Sequence, residues 1–240
     1  MSAIEVTKDA MLDGQLTLWQ PAKGCGYRFN LDPILLSGFA PAEGTVLDLG
    51  SGCGVLGLTM LLRGADRLIA VEKEPVMADL ILRNAKENGL ADRVDVFCAD
   101  LRELQSFKAD HVVSNPPYFK PGTGRSAANA LKDAARFERS GGVGDFLECA
   151  KAHVHPGGTM SFVIRYDRKN DLLIHAEKQG CAVERLRAVR PHEESPPKMV
   201  MVELSTSPEG SEQELEMLTI HKRAGSREYT DEVMRLVSAL

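Results

Sequence analysis

Val46-Leu47-Asp48-Leu49-Gly50-Ser51-Gly52-Cys53-Gly54 and Val112-Val113-Ser114-Asn115-Pro116-Pro117-Tyr118-Phe119 are the two stretches whose reading decides the fold. Each is a short apolar run, as a strand buried on both faces requires, and each stops in a polar turn rich in glycine or proline. In an open parallel sheet such turns line the crevice at the carboxyl ends of the strands, where ligands bind. The first turn therefore reads as the seat of a nucleoside-type cofactor, and the second as the seat of the group that reacts with it.

The same alternation continues on both sides. Asp32 reads as a helix N-cap, with Pro33 in the first helical position and an apolar run from Ile34 to Phe39. Thr45–Leu49, Arg67–Val71, Val94–Cys98 and Ala109–Val113 read as strands. Leu56–Arg63 and the stripe Val76, Met77, Leu80, Ile81, Ala85 read as helices, the latter stopped by Gly89. This is the pattern of right-handed βαβ units on a parallel sheet. Further on, Val143–Val154 and Lys169–Gln179 read as helices, and Pro156-Gly157-Gly158 as a turn into the strand Thr159–Arg165. Cys181–Val189 and Met199–Leu204 are joined by a short polar loop without a helix, so they are expected to pair antiparallel. Leu215–Ile220 reads as one more strand, and Thr230 as the cap of a last helix. Residues 1–13 read as frayed, and Leu16–Phe29 as a short hairpin turning at Pro21 and Gly24.

Composition narrows the function classes. At 240 residues, 43% hydrophobic and 26% charged, the chain suits one well-buried soluble domain. The longest apolar run, Val55–Leu62, is far short of the roughly 20 residues that cross a bilayer. No basic segment followed by an apolar core opens the chain, and the five cysteines are scattered with no CxxC pair. A cytoplasmic protein with reduced thiols and no zinc site is the expectation. His153, His155, His175, His192 and His221 share no ligand spacing, so no metal is expected. The net charge of −5 argues mildly against nucleic acid, yet residues 119–140 hold five Lys or Arg against two Asp or Glu directly after the second turn. Lys222, Arg223 and Arg227 add a second basic group.

The chemistry follows from residue types. The glycines at 50, 52, 54 and 57 let the backbone turn sharply and let a ligand approach it. Glu72 stands 20 residues after Gly52, the offset at which an acidic side chain meets ribose hydroxyls in dinucleotide folds, but the GxGxG spacing differs from GxGxxG. A nicotinamide or flavin site stays open on this motif alone. Asp100, ending the third of these strands, suits either a cap or an acceptor for an adenine amino group. Asn115-Pro116-Pro117-Tyr118 is the most specific feature. An exocyclic amine on adenine is a poor nucleophile because its lone pair is delocalised into the ring. The Asn115 side-chain oxygen and the Pro116 carbonyl, accepting its two hydrogens, draw the nitrogen toward sp³ geometry. The prolines hold that carbonyl rigid, and Tyr118 offers a face for a flipped base.

With these motifs in hand, a family resemblance is visible. Asp48-Leu-Gly-Ser-Gly-Cys-Gly54 resembles the first motif of class I S-adenosylmethionine-dependent methyltransferases. Asn115-Pro-Pro-Tyr118 resembles the catalytic motif of those that methylate planar amino nitrogens: adenine N6, guanine N2 or the glutamine amide of release factors. Residues 26–36 and 227–233 are similar to the bacterial tRNA1(Val) adenine-37 N6-methyltransferase family. The resemblance implies a Rossmann-like α/β fold, with a mostly parallel seven-stranded sheet, helices on both faces and an antiparallel C-terminal strand. It divides the chain into an N-terminal substrate-side extension, 1–40, packed on a methyltransferase domain, 41–240. It implies S-adenosyl-L-methionine held by Arg28, Asp32, Asp48, Gly50, Ser51, Gly52, Gly54, Glu72, Lys73, Asp100, Leu101 and Asn115. Asn115, Pro116, Pro117 and Tyr118 become the catalytic set, and RNA the partner. Release-factor methylation is the second reading, disfavoured because such enzymes carry a helical domain before the core and fewer than 50 residues precede Asp48 here. A non-catalytic RNA-binding module is the third. Monomer and homodimer stay equally open.

Overall fold

A computed structural model describes residues 4–26, 28–105, 107–117, 142–207, 210 and 212–238. β3 (Thr45–Leu49) lies inside the sheet, and its side chains divide between two cores. Val46 joins a cluster with the helices α1 (Asp32–Phe39), α2 (Val55–Arg63) and α3 (Pro75–Glu87). Leu47 and Leu49 face the opposite cluster, with α4 (Val143–His153) and α5 (Lys169–Lys178). Period-two alternation thus buries both sheet faces, which is why β3 is apolar from Val46 to Leu49 save for the buried Asp48.

β3 pairs in parallel with β4 (Arg67–Glu72), and β4 with β5 (Val94–Cys98). The chain then crosses to the other side of β3 with β6 (Ala109–Ser114), which pairs in parallel with β7 (Val154–Arg165). β9 (Met199–Ser205) runs antiparallel between β7 and β8 (Ala182–Arg190). The antiparallel pairing expected of the last two long strands is therefore present. These seven strands carry two additions, of which only the second was expected: β10 (Gln213–Glu214) and β11 (Leu218–Thr219) each pair in parallel with β8, giving nine strands in one sheet. The strand read over Leu215–Ile220 is only two residues long. The last helix, α6 (Asp231–Val237), starts where expected, with the Thr230 hydroxyl accepting from the Val233 amide at 3.4 Å.

Three further readings need correction. Residues 6–11 are not frayed: β1 (Val6–Met11) pairs antiparallel with β2 (Leu16–Pro21). The hairpin turns at Leu12, Asp13 and Gly14, all with positive φ, and not at Pro21 and Gly24. β1 has β2 as its sheet neighbour and buries none of its side chains deeply, so polar residues occupy its middle, Thr7 to Asp9, between the partly buried Val6 and Met11. β7 begins five residues earlier than read. Its pairing with β6 breaks after Ala109↔Val154 and resumes at His111↔Thr159, so Pro156–Gly158 form a bulge within the strand. A Cβ at Gly158 would collide with the Asp110 carbonyl, which reserves that position for glycine.

The hairpin is fastened by two asparagines four residues apart, Asn84 in α3 and Asn88 capping its C-terminus. Asn84 accepts from the Trp19 amide (2.6 Å) and donates to the Trp19 carbonyl (2.9 Å). Asn88 accepts from the Thr17 amide (2.8 Å) and donates to the Thr17 carbonyl (2.7 Å). Four helical residues advance about 6.0 Å and two strand residues about 6.6 Å, so the two amides match the free edge of β2. Asn84 is fully buried and also donates to the Cys53 carbonyl (2.8 Å), joining hairpin and glycine turn. Asn84→Ala strands three backbone groups, and a loss of about 3 kcal/mol of unfolding free energy in urea is expected. A loss below about 0.5 kcal/mol, the size of an ordinary surface change, would show that this peg does not hold the hairpin.

Candidate active site

The strand order reverses between β3 and β6, so the chain leaves these neighbours in opposite directions and opens a crevice at their carboxyl ends. Leu49 pairs with Ser114, so the glycine turn and Asn115 start side by side. The Ser114 hydroxyl donates to the Leu49 carbonyl at 2.8 Å and locks the two ends together.

Gly50, Gly52 and Gly54 have φ of 73°, 58° and 87°. The left-handed conformation favours glycine at all three, and space is tight at two: a Cβ on Gly50 would stand 3.1 Å from Phe146, and one on Gly54 3.2 Å from Ile81. The Gly50 and Ser51 amides donate to the Val71 carbonyl at 2.9 and 3.0 Å, tying the turn to β4. Asp48 is buried and accepts from the Gly57 amide at 3.1 Å, bracing the start of α2. Burial pushes its carboxyl up to about 7, against the opposing bonds from Gly57 and Ser51.

Glu72 accepts from the Gly52 amide (2.8 Å) and the Glu74 amide (2.9 Å), and burial raises its carboxyl above the ordinary range. It therefore shapes the turn, while each carboxylate oxygen keeps a second lone pair for a hydroxyl. Asp100 caps the turn at Leu101–Glu103 by accepting from the Arg102 amide. It also holds the Arg102 guanidinium at 2.6 Å and Lys73 Nζ at 2.9 Å, and these partners, Arg102 first, keep its carboxyl well below the usual range. Leu101 is buried beneath it.

One cleft of about 330 Å³ is lined by Asp48, Gly50, Ser51, Gly52, Cys53 and Asn115, with Phe29 and Pro33 from the N-terminal segment. The structure thus brings the two decisive stretches to a single cleft. Glu72 supports that cleft through Gly52, and Asp32 is buried beside it in the first turn of α1, accepting from Asn30 Nδ2 at 2.7 Å. Arg28 is placed differently. Its guanidinium donates to Thr7 Oγ1, the Pro21 carbonyl and Asp9, at 2.7, 2.7 and 3.0 Å, and braces the hairpin. Tyr118 and the basic stretch 119–140 lie outside the described residues. Sequence reasoning missed Phe29 and Pro33 as cleft walls and Asn84 as the link from hairpin to turn; two asparagines at i and i+4 beside an apolar stripe were its only signal. Cys53 is not a nucleophile: burial pushes its thiol up to about 12. Among the described residues no cluster of three His, Cys, Asp or Glu has metal-binding geometry.

A glycine cradle whose Cβ space is filled, floored by a carboxylate and facing an Asn-Pro-Pro turn, fits a nucleoside cofactor beside a reacting amine. Comparisons with known proteins agree. The chain is 27% identical over 221 residues to the tRNA1(Val) (adenine(37)-N6)-methyltransferase of Bacteroides fragilis, covering 90% of this chain and 92% of that protein. It is 29% identical over 188 residues to the enzyme of the same name from Klebsiella pneumoniae, covering 75% and 76%. The crystal structure of a predicted O-methyltransferase from Agrobacterium tumefaciens superposes with a TM-score of 0.66 at 20% identity, over 87% of this chain and 98% of that one. The family model described as the methyltransferase small domain matches residues 32–183, and the chain belongs to that family.

Proposed function

We propose that this S-adenosyl-L-methionine-dependent methyltransferase methylates the N6 nitrogen of an adenine in tRNA. One observation carries the reading: Asn115, directly after β6, lines the same cleft as the glycine turn of β3, so a base amine at Asn115 lies next to whatever the turn holds. The name shared by the curated relatives supplies the substrate class.

In this reading Asp48, Gly50, Ser51, Gly52 and Gly54 line the cofactor, Glu72 and Lys73 face its ribose side, and Asp100 with Leu101 borders its adenine. Asp32 and Arg28 act from the N-terminal extension, residues 1–40, which packs on the domain 41–240. When bound, the cofactor supplies an electrophilic methyl group on a cationic sulfur. Asp48, buried, and Glu72, half-buried, set two carboxylates at this turn, and a cationic group bound nearby favours their charged forms against the desolvation that raises both. Asn115 Oδ1 and the Pro116 carbonyl accept the two hydrogens of the amine and restore its lone pair to the nitrogen. The fixed φ of Pro116 and Pro117 keeps these acceptors in place before the base arrives, so little reorganisation accompanies the reaction. Tyr118 is the stacking face for the flipped base.

Label from methyl-tritiated cofactor tests the reading. Supplied with both unmodified tRNA and a release factor, the protein is expected to label the RNA. Label on the protein substrate alone would replace adenine with the glutamine amide as the acceptor.

A further inference from the structure

The rim at the carboxyl ends of the strands changes character at the switch point. On the β3–β4–β5 side, residues 48–54, 72–74 and 98–103 hold five Asp or Glu against two Lys or Arg. On the other side the rim is built by the residues after β7, the β8–β9 loop and the segment after β11, because β8 and β11 run parallel to β7 and β9 runs against it. There, residues 165–169, 190–198 and 220–228 hold eight Lys or Arg against four Asp or Glu. That is a local surplus of four positive charges on a chain whose net charge is −5.

Backbone hydrogen bonds weld these three segments into a ledge. The Tyr166 amide donates to the Lys198 carbonyl (2.9 Å), and the Lys198 amide to the Val189 carbonyl (2.9 Å). The Ile220 and His221 amides donate to the Arg190 and Pro191 carbonyls at 2.9 and 2.8 Å. The Lys222 amide donates to the Glu228 carbonyl at 3.0 Å. The ledge therefore starts on β7, the strand beside β6 and Asn115, and runs outward across β9 and β8, a lateral span of about 14 Å from β6. Near its inner end stands the half-buried Tyr166, with Lys169 Nζ 5.4 Å from its ring centroid. Lys198, Lys222 and Arg223 are exposed. Lys222 meets Asp231 at 3.4 Å, but with that carboxylate 91% exposed the pair holds it weakly and exchanges readily for another anion.

We propose that this ledge carries the phosphate backbone of the RNA whose base enters at Asn115. A sheet end split into an acidic and a basic half separates the two ligands of the reaction by charge: the cationic cofactor on one side, the polyanion on the other. The sign, the exposure and the rigid backbone suit phosphate contacts, which position a nucleic acid without reading its sequence. The proposal rests on the RNA reading above and adds the face by which the RNA arrives.

The test compares Lys198→Glu/Arg223→Glu with Lys86→Glu/Lys178→Glu in the full chain. The second pair makes the same charge change at exposed positions on the opposite rim, in the last turns of α3 and α5. Binding of unmodified tRNA is measured by anisotropy over a range of salt, with KM, kcat and S-adenosylhomocysteine affinity alongside. The ledge variant is expected to raise the Kd and KM for tRNA at least tenfold and to flatten the salt dependence by roughly 1.5 in log–log slope, for two lost phosphate contacts. Its kcat at saturating tRNA and its homocysteine-cofactor affinity stay at the wild-type values, and the opposite-rim pair stays within about twofold throughout. Wild-type affinity and slope in the ledge variant, or an equal loss in the opposite-rim pair, overturns the ledge alone. Failure of the wild-type protein to bind tRNA at all overturns the RNA reading with it.

Discussion

Asn115→Ala is expected to lower kcat for methyl transfer by about 10²–10³, the cost seen elsewhere for removing one preorganised partner of developing charge. Asn115 extends β6 by one residue beyond Ser114, whose hydroxyl is bonded to the Leu49 carbonyl, so its position is fixed relative to the glycine turn. Its acceptor oxygen meets a planar amine only weakly, and more strongly as the nitrogen pyramidalises. An interaction that strengthens on the way to the transition state raises kcat, so its loss falls there. S-adenosylhomocysteine affinity, measured by calorimetry, changes by a few-fold at most, because the turn 50–54 and its supports Asp48 and Glu72 are untouched. Asn115→Asp sharpens the test: it keeps an acceptor and adds negative charge beside a cationic group, so it retains more activity than Asn115→Ala. Full turnover in Asn115→Ala would remove Asn115 from the chemistry. A collapse of cofactor affinity with kcat unchanged would make it a cofactor ligand only.

The second large effect concerns stability. Asp48 has a folded-state carboxyl pushed up to about 7 from an ordinary value of 3.8, chiefly by burial. Between those two pH values the folded chain keeps a proton that the unfolded chain has released. Its contribution is therefore fully favourable below about pH 4 and is lost as pH rises toward 7. Asp48→Asn keeps an oxygen for the Gly57 amide but does not titrate. Measured by urea unfolding without cofactor, the stability of the variant relative to wild type is expected to rise by on the order of 3 kcal/mol between pH 5 and pH 8. Glu72, also raised by burial, titrates in both proteins and largely cancels in the comparison. Parallel curves for the two proteins would mean that Asp48 is solvated.

What was legible in the sequence follows from the range of the forces involved. β3 and β6 announce themselves because burial on both faces demands the apolar stretches Val46-Leu47 and Val112-Val113, and because the glycines from Gly50 and the prolines from Pro116 follow closely. α1 is legible from Asp32-Pro33, although Asp32 turns out to be the first helical residue, bonded to Asn30, and not the cap. β1 was not legible, since an edge strand with solvent on its outer side needs no apolar pattern. The bulge at Pro156–Gly158 reads as a turn because the same residue types serve both. The roles of Arg28, Asn84 and Glu72 depend on side-chain bonds to backbone 7 to 65 residues away, and such bonds leave no period in a sequence. The two halves of the cleft were readable as chemistry, whereas the supports that aim them were not. The same holds for the basic ledge: its charges lie in three separate segments, and only the strand order shows that they share a rim.

Nucleoside mass spectrometry reads out whether the amine that meets Asn115 belongs to an adenine of tRNA. tRNA lacking the modification is incubated with the protein and S-adenosyl-L-methionine, digested to nucleosides and analysed beside a reaction run with Asn115→Ala. N6-methyladenosine is expected in the wild-type reaction, at up to one per tRNA, and at about a hundredth of that initial rate or less with the variant. Methyl on guanine N2, or tRNA returned unmodified by a protein that binds S-adenosylhomocysteine, would contradict it.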